Sequence, residues 1–401
     1  MQTSTSLAGL KFFKPLQRFM DELHGLKSHP NRNLHVDEYL GLMLLAYFNP
    51  AISGLRQLVK LPDYPIVDRN LGLQHTSLGS FSEASSVFDP EPLRRIFLEL
   101  GEQACASDGP TRPKSLPAEI RVLVADASLW KLLPRMVPDL YQQPPSRARK
   151  GEFKAHLVFN VFDQAPVDCL VTDGAIDERR VLPLQLERGA MYVLDRGYHS
   201  CSLFRQILEH ENSLVARLRR DAGYYEVLER QRLTGAAVAA GVNSDERVLL
   251  RGDREGIERP LRIIRARVVC PPSRNLDPKH KRGKYAARSR TEETSYDLIL
   301  LTDRFELDAS EVLAIYQYRW QIEIFFRWFK CVLKCRHLFA ETPNGFALQM
   351  YSALIASLLV VIYTKRKPNK MLLWVLQLFF QGVARWEQVE AEIKKCKPTS
   401  I

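Results

Sequence analysis

Two short apolar runs, each ending in an aspartate, constrain the fold of this chain most strongly. The runs are VLVAD, residues 122–126, and MYVLD, residues 191–195. A short apolar run bounded by polar residues is typical of a buried strand. An acid that ends such a strand projects from the edge of the sheet, where ligands often bind in α/β folds. Helix capping is the alternative for either residue alone, but the repeated pattern favours Asp126 and Asp195 as a metal-binding pair.

The segments around these runs indicate a mixed α/β core. Apolar alternation and turn residues predict strands over 153–162, 165–174 and 213–218, and helices over 178–189 and 202–210. Their order along the chain predicts a mixed sheet with helices packed against it.

The regions on either side of this core have different sequence patterns. The first 118 residues read as short helices, which suit either a helix-turn-helix DNA-binding arrangement or a plain helical bundle. Strand-like runs separated by Gly-rich and charged turns predict a β-rich insertion, and the C-terminal region is helical again. We therefore predict a helical N-terminal region (1–118), a first core part (119–218), the insertion (219–304), a second core part (305–345) and a helical C-terminal region with a basic tail (346–401).

A long helix is predicted after the insertion. Asp308 as N-cap and Glu311 three residues later form a capping-box pattern, and the helix is expected to run through Lys334. One side of it carries the apolar residues Ile322, Phe325, Trp328 and Phe329, which predicts a core-facing surface.

The other side of this helix carries a narrow polar stripe. At about 100° per residue, four side chains fall within a band roughly 60° wide: Tyr316, Arg319, Glu323 and Lys330. A solvated face with a Glu–Arg pair is the plain alternative. That alternative explains neither the tyrosine nor the presence of a lysine on the same face of the helix two turns after the glutamate.

The pattern Tyr316-x2-Arg319-x3-Glu323-x6-Lys330 resembles the Tyr-Arg-Glu-Lys signature of a large group of bacterial transposases, insertion-sequence family four. In that family the helix supplies the Glu of an Asp-Asp-Glu metal site on an RNase H-like fold that a β-rich insertion interrupts. The resemblance implies that Asp126 and Asp195 are the two aspartates, since Asp195 heads an Asp-Arg-Gly-Tyr sequence. It covers residues 119 to 340.

The resemblance implies an activity, cofactors and partners. Asp126, Asp195 and Glu323 would bind Mg²⁺ or Mn²⁺, two ions in all, which suits oxygen-only ligands. The chain would be a cut-and-paste DNA transposase that hydrolyses phosphodiesters at element ends and joins the 3′-OH to target DNA. Tyr316, Arg319 and Lys330 would hold DNA. Partners would be double-stranded DNA, as terminal inverted repeats and target, and a second copy in a homodimer on DNA. No P-loop pattern is present, so no nucleotide cofactor is expected.

One departure from the family concerns aromatic residues in the insertion. Better-known members use an aromatic residue there, often Trp, to trap a flipped base during hairpin formation. This chain has no Trp between residues 196 and 319. Tyr224, Tyr225, Tyr285 or Tyr296 could substitute, so the use of a hairpin stays open.

The net charge of +11 at pH 7 suggests a polyanionic partner. Its excess lies in residues 278–290, with six Lys or Arg and no acid, and in residues 361–401, with eight Lys or Arg and three Glu. The first segment falls within the predicted insertion and predicts DNA contacts by Lys279, Lys281, Arg282 and Lys284. An apolar content of 46% excludes a globally disordered or fibrous chain.

Other features favour structural explanations. The apolar stretch 346–363 predicts a buried core helix over a membrane span. Seven scattered Cys and no signal-peptide pattern predict a cytoplasmic protein. The resemblance implies a bacterial protein that is associated with the nucleoid when bound to DNA. Zinc binding by Cys331, Cys335 and His337 is disfavoured, because helical Cys usually pack as small hydrophobes. For His156 and His199, structural roles are favoured over acid–base chemistry.

Two other functions fit the same residues. A transposase-derived repressor would bind terminal repeats without cutting, and a nuclease would cleave without strand transfer. The three intact acids disfavour the repressor, since a protein that does not cut has no use for them.

Overall fold

The computed structural model describes residues 16–26, 34–52, 54–64, 75–131, 152–219, 224–251, 257–270, 294–340 and 342–395. The chain divides into two compact units. The first unit comprises Met1–Thr111, Leu123–Gln185 and Trp320–Ile401, and the second comprises Arg112–Val122 and Leu186–Arg319. Strands and helices occur in both units, so the fold is mixed α/β, as the sequence predicted.

The described residues form nine strands and thirteen α-helices. The strands are β1 (Val122–Lys131), β2 (Glu152–Asn160), β3 (Ala165–Asp173), β4 (Met191–Leu194), β5 (Ser213–Arg217), β6 (Tyr224–Arg230), β7 (Val242–Arg251), β8 (Ile257–Cys270) and β9 (Thr294–Thr302). The helices are α1 (Gln17–His24), α2 (Val36–Phe48), α3 (Leu55–Leu58), α4 (Leu78–Val87), α5 (Glu91–Gly101), α6 (Glu178–Val181), α7 (Cys201–Glu209), α8 (Gly235–Ala239), α9 (Ala309–Gln317), α10 (Trp320–Cys331), α11 (Pro343–Thr364), α12 (Lys370–Phe380) and α13 (Trp386–Lys395).

The first unit contains an antiparallel sheet in the order β3-β2-β1. A turn at Asp163 and Gln164 connects β2 and β3, and Gln164 adopts there a left-handed conformation with φ of 54°. Phe153 of β2 stacks on Phe346 of α11, with ring centroids 4.8 Å apart, so helices cover this face of the sheet.

Helix α11 is the apolar centre of the first unit. Among the described residues it is the one helix long and apolar enough to cross a membrane, yet nearly all of it is buried, against α2, α4, α5 and β3. Its buried Gln349 has its polar atoms paired inside the protein: the side-chain amide donates to the carbonyl of His337 at 2.7 Å and accepts from the Phe339 N–H at 2.8 Å. The predicted buried core helix is confirmed.

The second unit contains the strand order β4-β5-β9-β8-β7-β6. Strands β4 and β5 are parallel and are connected through α7, while the remaining neighbours are antiparallel. The stretch predicted as a β-rich insertion supplies β6 to β9 and, unexpectedly, the short helix α8. Thr234 caps α8 by accepting from the Ala237 N–H.

A buried ion pair ties the long strands of the second unit to the segment before α9. Arg262 of β8 donates to both carboxylate oxygens of Asp245 on β7, at 2.8 and 2.5 Å. It also donates to the carbonyls of Arg304 and Leu307. Asp308 then caps α9 in the predicted capping box with Glu311. The start of α9 is therefore held by the neighbouring sheet.

Two helix predictions were wrong in extent. The helix predicted over 178–189 is only α6, followed by a 3₁₀ turn over Leu182–Gln185 that contains Pro183, a residue with no N–H to donate. The single helix predicted from Asp308 through Lys334 is two helices, α9 and α10. Between them the N–H groups of Tyr318 and Arg319 bond to carbonyls three residues back, which ends the regular α-helical pattern.

Candidate active site

Asp126 lies inside β1 and not at its end, so that part of the prediction was wrong. The strand continues through Ala127 and Ser128 to Lys131, and Asp126 is paired opposite Leu157 of β2. The continuation is anchored by Trp130, which is 3% exposed and donates its indole N–H to the Cys335 carbonyl at 2.9 Å. The Asp126 carboxylate is half-buried and accepts from the Ala127 N–H at 2.8 Å.

The face of β1 that carries Asp126 also contacts α10. Side chains alternate along a strand, so Asp126, Ser128 and Trp130 lie on one face. The Lys330 ammonium of α10 donates to the Ser128 hydroxyl at 2.7 Å and to the Leu129 carbonyl at 2.8 Å. It also lies 3.9 Å from the centre of the Trp130 ring. These contacts hold α10 against the Asp126 side of β1.

Glu323 lies on the same face of α10 as Lys330. The two residues are seven positions apart, which brings them to within about 20° around the helix and about 10 Å along it. The predicted core-facing residues Ile322, Phe325, Trp328 and Phe329 are all buried, as expected. Glu323 itself is half-buried. Through Lys330, the face of α10 that carries Glu323 therefore contacts the face of β1 that carries Asp126.

The break between α9 and α10 divides the predicted polar stripe. Tyr316 and Arg319 belong to the second unit, whereas Glu323 and Lys330 belong to the first. The angles around the helix axis were calculated for one continuous helix. They therefore hold for residues of the same helix, such as Glu323 and Lys330, and do not relate residues of α9 to residues of α10.

Asp195 directly follows β4, as predicted. Its carboxylate accepts from the Gly197 N–H at 2.7 Å and so caps a 3₁₀ turn over Arg196–Tyr198. The strand-end position and the capping role, which the sequence left as alternatives, are both present. Because Leu194 pairs with Ala216 in the parallel register of β4 and β5, the next residue of β5, Arg217, comes beside Asp195.

Arg217 is a candidate site residue that the sequence reasoning missed. Its side chain makes a hydrogen bond with the hydroxyl of Tyr316, which is 7% exposed. Burial raises the pKa of Tyr316; the positive charges of Arg319 and Arg217 oppose that shift, and the negative charge of Asp195 adds to it. These four side chains form a polar cluster in the second unit. The signal that could have revealed Arg217 is its place after the apolar residues of β5, beside the strand that ends in Asp195.

Lys330 occupies a less polar environment than a surface lysine. Burial lowers the pKa of its ammonium to about 8, and Asp126 is among the groups whose negative charge opposes that shift. In the structure this ammonium contacts β1, and the DNA contact that the resemblance implies for it stays a prediction.

The two histidines serve structural contacts. His156 of β2 pairs opposite Ala127, so it lies on the face of the sheet away from Asp126. It is 2% exposed, its Nε2 lies 2.8 Å from the Thr172 hydroxyl, and burial lowers its pKa to about 4. The Nδ1 of His199 accepts from the Arg219 N–H at 3.0 Å.

Two further features of the sequence are the Cys331 and Cys335 pair and the basic segment of the predicted insertion. Cys335 is fully buried, which raises its pKa to about 12, whereas Cys331 is exposed, so the pair is not arranged to chelate zinc. The predicted DNA contacts Lys279, Lys281, Arg282 and Lys284 lie outside the described residues.

The donor chemistry of the predicted metal site fits a hard divalent cation. Asp126, Asp195 and Glu323 offer only carboxylate oxygens, which are ligands that Mg²⁺ and Mn²⁺ prefer. Over the described part of the chain, no three Asp, Glu, His or Cys side chains lie close enough together to hold an ion. Asp126 and Glu323 belong to the first unit, and Asp195 belongs to the second.

Comparisons with known proteins point to one family. The model of the transposase DDE domain family matches residues 117–359. The chain is 28% identical over 220 residues to the putative transposase y4zB of Sinorhizobium fredii, a match that covers 54% of this chain and 55% of that protein. It is 24% identical over 243 residues to a probable transposase for insertion sequence element IS5377 of Geobacillus stearothermophilus, covering 59% and 58%. The match thus spans little more than half the length of each relative.

A solved structure also resembles the chain at a lower level. A piggyBac transposase synaptic complex with hairpin DNA aligns with a TM-score of 0.41 and 10% identity, over 98% of this chain and 82% of that one.

Proposed function

Because the chain belongs to the family of DDE transposases of bacterial insertion sequences, we propose that it is a DNA transposase of the cut-and-paste type. It hydrolyses phosphodiester bonds at the ends of its element, and the freed 3′-OH then attacks a phosphodiester of target DNA, which joins the element end to the target phosphate and releases a target 3′-OH. The observation that supports this proposal is the hydrogen bond of Lys330, which shares a face of α10 with Glu323, to Ser128, which shares a face of β1 with Asp126. We further propose that the core is RNase H-like, with residues 219–304 as its insertion.

Asp126, Glu323 and Asp195 are the proposed metal ligands. Three carboxylates brought to one point would repel each other, so a divalent cation is the natural partner for the set. These three residues would hold one or two Mg²⁺ or Mn²⁺ ions, which would supply Lewis-acid activation of an attacking water or 3′-hydroxyl and stabilisation of the leaving oxygen. The hydrogen bonds from the Ala127 and Gly197 N–H groups orient Asp126 and Asp195 before any ligand arrives.

The cluster beside Asp195 is the proposed site of DNA contact in the second unit. Arg217 and Arg319 offer two guanidinium groups near one carboxylate, a combination suited to phosphate oxygens next to the reacting bond. Tyr316 is held by Arg217, so its ring and hydroxyl have a defined position. Lys279, Lys281, Arg282 and Lys284 are further proposed DNA contacts. The proposed partners are terminal inverted repeats, target DNA and a second copy of the chain.

A cleavage assay with matched variants tests the metal site. Purified protein is incubated with Mg²⁺ and DNA carrying the element's terminal repeats, and nicked and joined products are separated. Asp126→Asn, Asp195→Asn and Glu323→Gln should each lower the cleavage rate by at least about 10³-fold, because each removes a charged ligand that acts in the transition state.

Asp173→Asn is the matched control. Asp173 is an exposed aspartate at the end of β3, where it accepts from the Ala175 N–H, and an asparagine oxygen can keep that bond. Cleavage by this variant should stay within about twofold of wild type. Full cleavage by all three site variants would refute the assignment. Terminal-repeat binding with no cleavage by wild type would indicate a repressor, and cleavage with no joined product a nuclease.

A further inference from the structure

The positive charge of the C-terminal region is concentrated around α12. Residues 365–386 contain five Lys or Arg and no acid, whereas the three lysines and three glutamates of residues 387–401 balance each other. Four of the five cations lie in the sequence KRKPNK, residues 365–370, which connects α11 to the start of α12. This connection therefore carries most of the excess charge of the C-terminal region.

Contacts to Ser107 and Asp108 hold this connection in one conformation. Lys365 adopts a left-handed conformation with φ of 51°, and its carbonyl accepts from the N–H and the hydroxyl of Ser107 at 2.8 and 2.9 Å. The Lys367 N–H donates to the Asp108 carboxylate at 2.6 Å. Lys365 and Lys370 are exposed, and neither forms an ion pair within the described part of the chain. Their ammonium groups are therefore available to an external anion.

Helix α12 exposes two large apolar side chains next to this connection. Met371 and Trp374 are 53% and 52% exposed. At about 100° per residue, both lie within about 100° of Lys370 around the helix. The buried side of α12 consists of Leu372, Leu373, Val375, Leu376 and Phe379. At the end of the helix Phe380 stacks on Phe48 of α2, with ring centroids 4.8 Å apart. The exposed side chains are thus presented by a helix whose other side is fixed in the core.

We propose that Lys365, Arg366, Lys370, Met371 and Trp374, here called the α12 surface, bind the backbone of double-stranded DNA. Lysine and arginine neutralise phosphates, and an aromatic ring packs against sugars and bases, so this combination suits nucleic acid. The inference rests on the proposed function, which supplies DNA as the partner, and it adds a contact site to those proposed above. Because phosphate contacts carry no sequence information, the surface should bind duplex DNA of any sequence.

Two other occupants suit this surface less well. A second copy placed on it by a two-fold axis would bring its cations against the same cations, with no acid in residues 365–386 to compensate. An anionic membrane would attract the cations, but a helix bound to a membrane inserts its apolar face, and most of the apolar side chains of α12 are buried in the protein. DNA requires only phosphate contacts and one exposed ring.

The salt dependence of DNA binding tests the α12 surface. Fluorescence anisotropy measures the affinity of the metal-free chain for two labelled duplexes, one with the terminal repeat and one of unrelated sequence, over a range of salt concentrations. Lys365→Gln combined with Lys370→Gln should lower the slope of log affinity against log salt concentration by about 1.8 on both duplexes, about 0.9 for each lost phosphate contact. Trp374→Ala should weaken binding at least about fivefold with an unchanged slope, because a ring contact releases no counterion.

Lys395→Gln is the matched control for Lys370→Gln. Lys395 is also an exposed lysine of the first unit, but its ammonium donates to the Glu392 carboxylate at 2.8 Å. Both substitutions remove one positive charge from the chain. Lys370→Gln alone should lower the slope by about 0.9, whereas Lys395→Gln should bind DNA as wild type does. Equal decreases in the two variants would show that only the net charge matters and would overturn the proposal.

The remaining outcomes separate the α12 surface from the proposed function. Wild-type slopes in Lys370→Gln and in the double lysine variant overturn the inference and leave the proposed function intact. If wild type binds neither duplex, the proposed function fails and the inference fails with it. If Trp374→Ala does not fold, the lysine variants decide alone.

Two assays identify the other occupants. Binding to vesicles of phosphatidylserine and phosphatidylcholine that the double lysine variant loses, with unchanged DNA slopes, would identify a membrane surface. A change in the monomer–dimer equilibrium of that variant, again with unchanged DNA slopes, would identify an interface between copies. Either result overturns the proposal.

Discussion

Replacing Arg262 by Met should destabilise the second unit more than any surface substitution. Arg262 and Asp245 have side chains that are 7% and 4% exposed, and their two bonds of 2.8 and 2.5 Å form a bidentate pair. Removing one partner of a buried pair leaves the other charge uncompensated, at a cost of about 3–5 kcal/mol. The carbonyls of Arg304 and Leu307 are also deprived of a donor, worth about 1 kcal/mol or more each where water cannot replace it.

Together these effects give an expected loss of about 4–6 kcal/mol, since partial relaxation offsets some of the penalty. Amide hydrogen exchange of β7 to β9 measures this loss locally, which avoids assuming that both units unfold together. Arg259→Met is the control. Arg259 is 46% exposed and donates to Asp303 at 2.9 Å, so its loss should cost at most about 1 kcal/mol.

The same variant should weaken DNA binding, because Leu307 lies two residues before α9 and α9 carries Tyr316. Adding Asp245→Leu to Arg262→Met removes the stranded carboxylate and should recover more than half of the lost stability. Equal exchange rates in Arg262→Met and Arg259→Met would refute the reasoning, since burial would then have no effect on the value of the pair.

Two further predictions concern pH and salt. His156 titrates near 6.5 when unfolded and at about 4 in the folded protein, so the unfolded state binds the proton first as pH falls. The free energy of unfolding should therefore decrease between pH 6.5 and 4, by up to about 3 kcal/mol from this residue. Urea unfolding of His156→Gln should show a smaller decrease over that range than urea unfolding of wild type. Parallel pH curves for the two proteins would contradict the prediction. Neutralising Lys279, Lys281, Arg282 and Lys284 should lower the slope of log affinity for DNA against log salt concentration by about 0.9 for each phosphate that the variant no longer neutralises. The Mn²⁺ affinity should stay as in wild type. An unchanged slope would show that DNA binds elsewhere.

Local sequence patterns were sufficient to predict most of the elements. The apolar runs before Asp126 and Asp195 are strands, the capping box at Asp308 is formed, and the aromatic face of α10 is buried. These features follow from periodicity and capping, which depend on neighbours a few residues away. The candidate metal ligands and the family resemblance could be identified for the same reason, because each motif is local.

The predictions were wrong where the local sequence pattern did not determine where a helix or strand ends. The polar stripe assumed an unbroken helix, but nothing in the residues around Tyr318 and Arg319 signals a break comparable to a proline or glycine. Asp126 was placed at a strand end because the apolar run stops there, whereas β1 continues through pairing with β2 and the anchoring of Trp130. Both outcomes depend on contacts with distant parts of the chain.

The sequence by itself determined the apolar segments that become strands, the position of Asp195 after β4 and the apolar face of the helix that carries Glu323, because all of these depend on short-range periodicity. Only the tertiary structure decided which groups the Arg and Lys side chains contact. Arg217 came beside Asp195 through the parallel register of β4 and β5, and Lys330 was directed to Ser128 and Leu129 through the packing of α10 on β1. A charged side chain in a sequence can equally face solvent, DNA or a buried carbonyl. The choice is made by the burial and hydrogen-bond partners that residues far apart in sequence supply on folding.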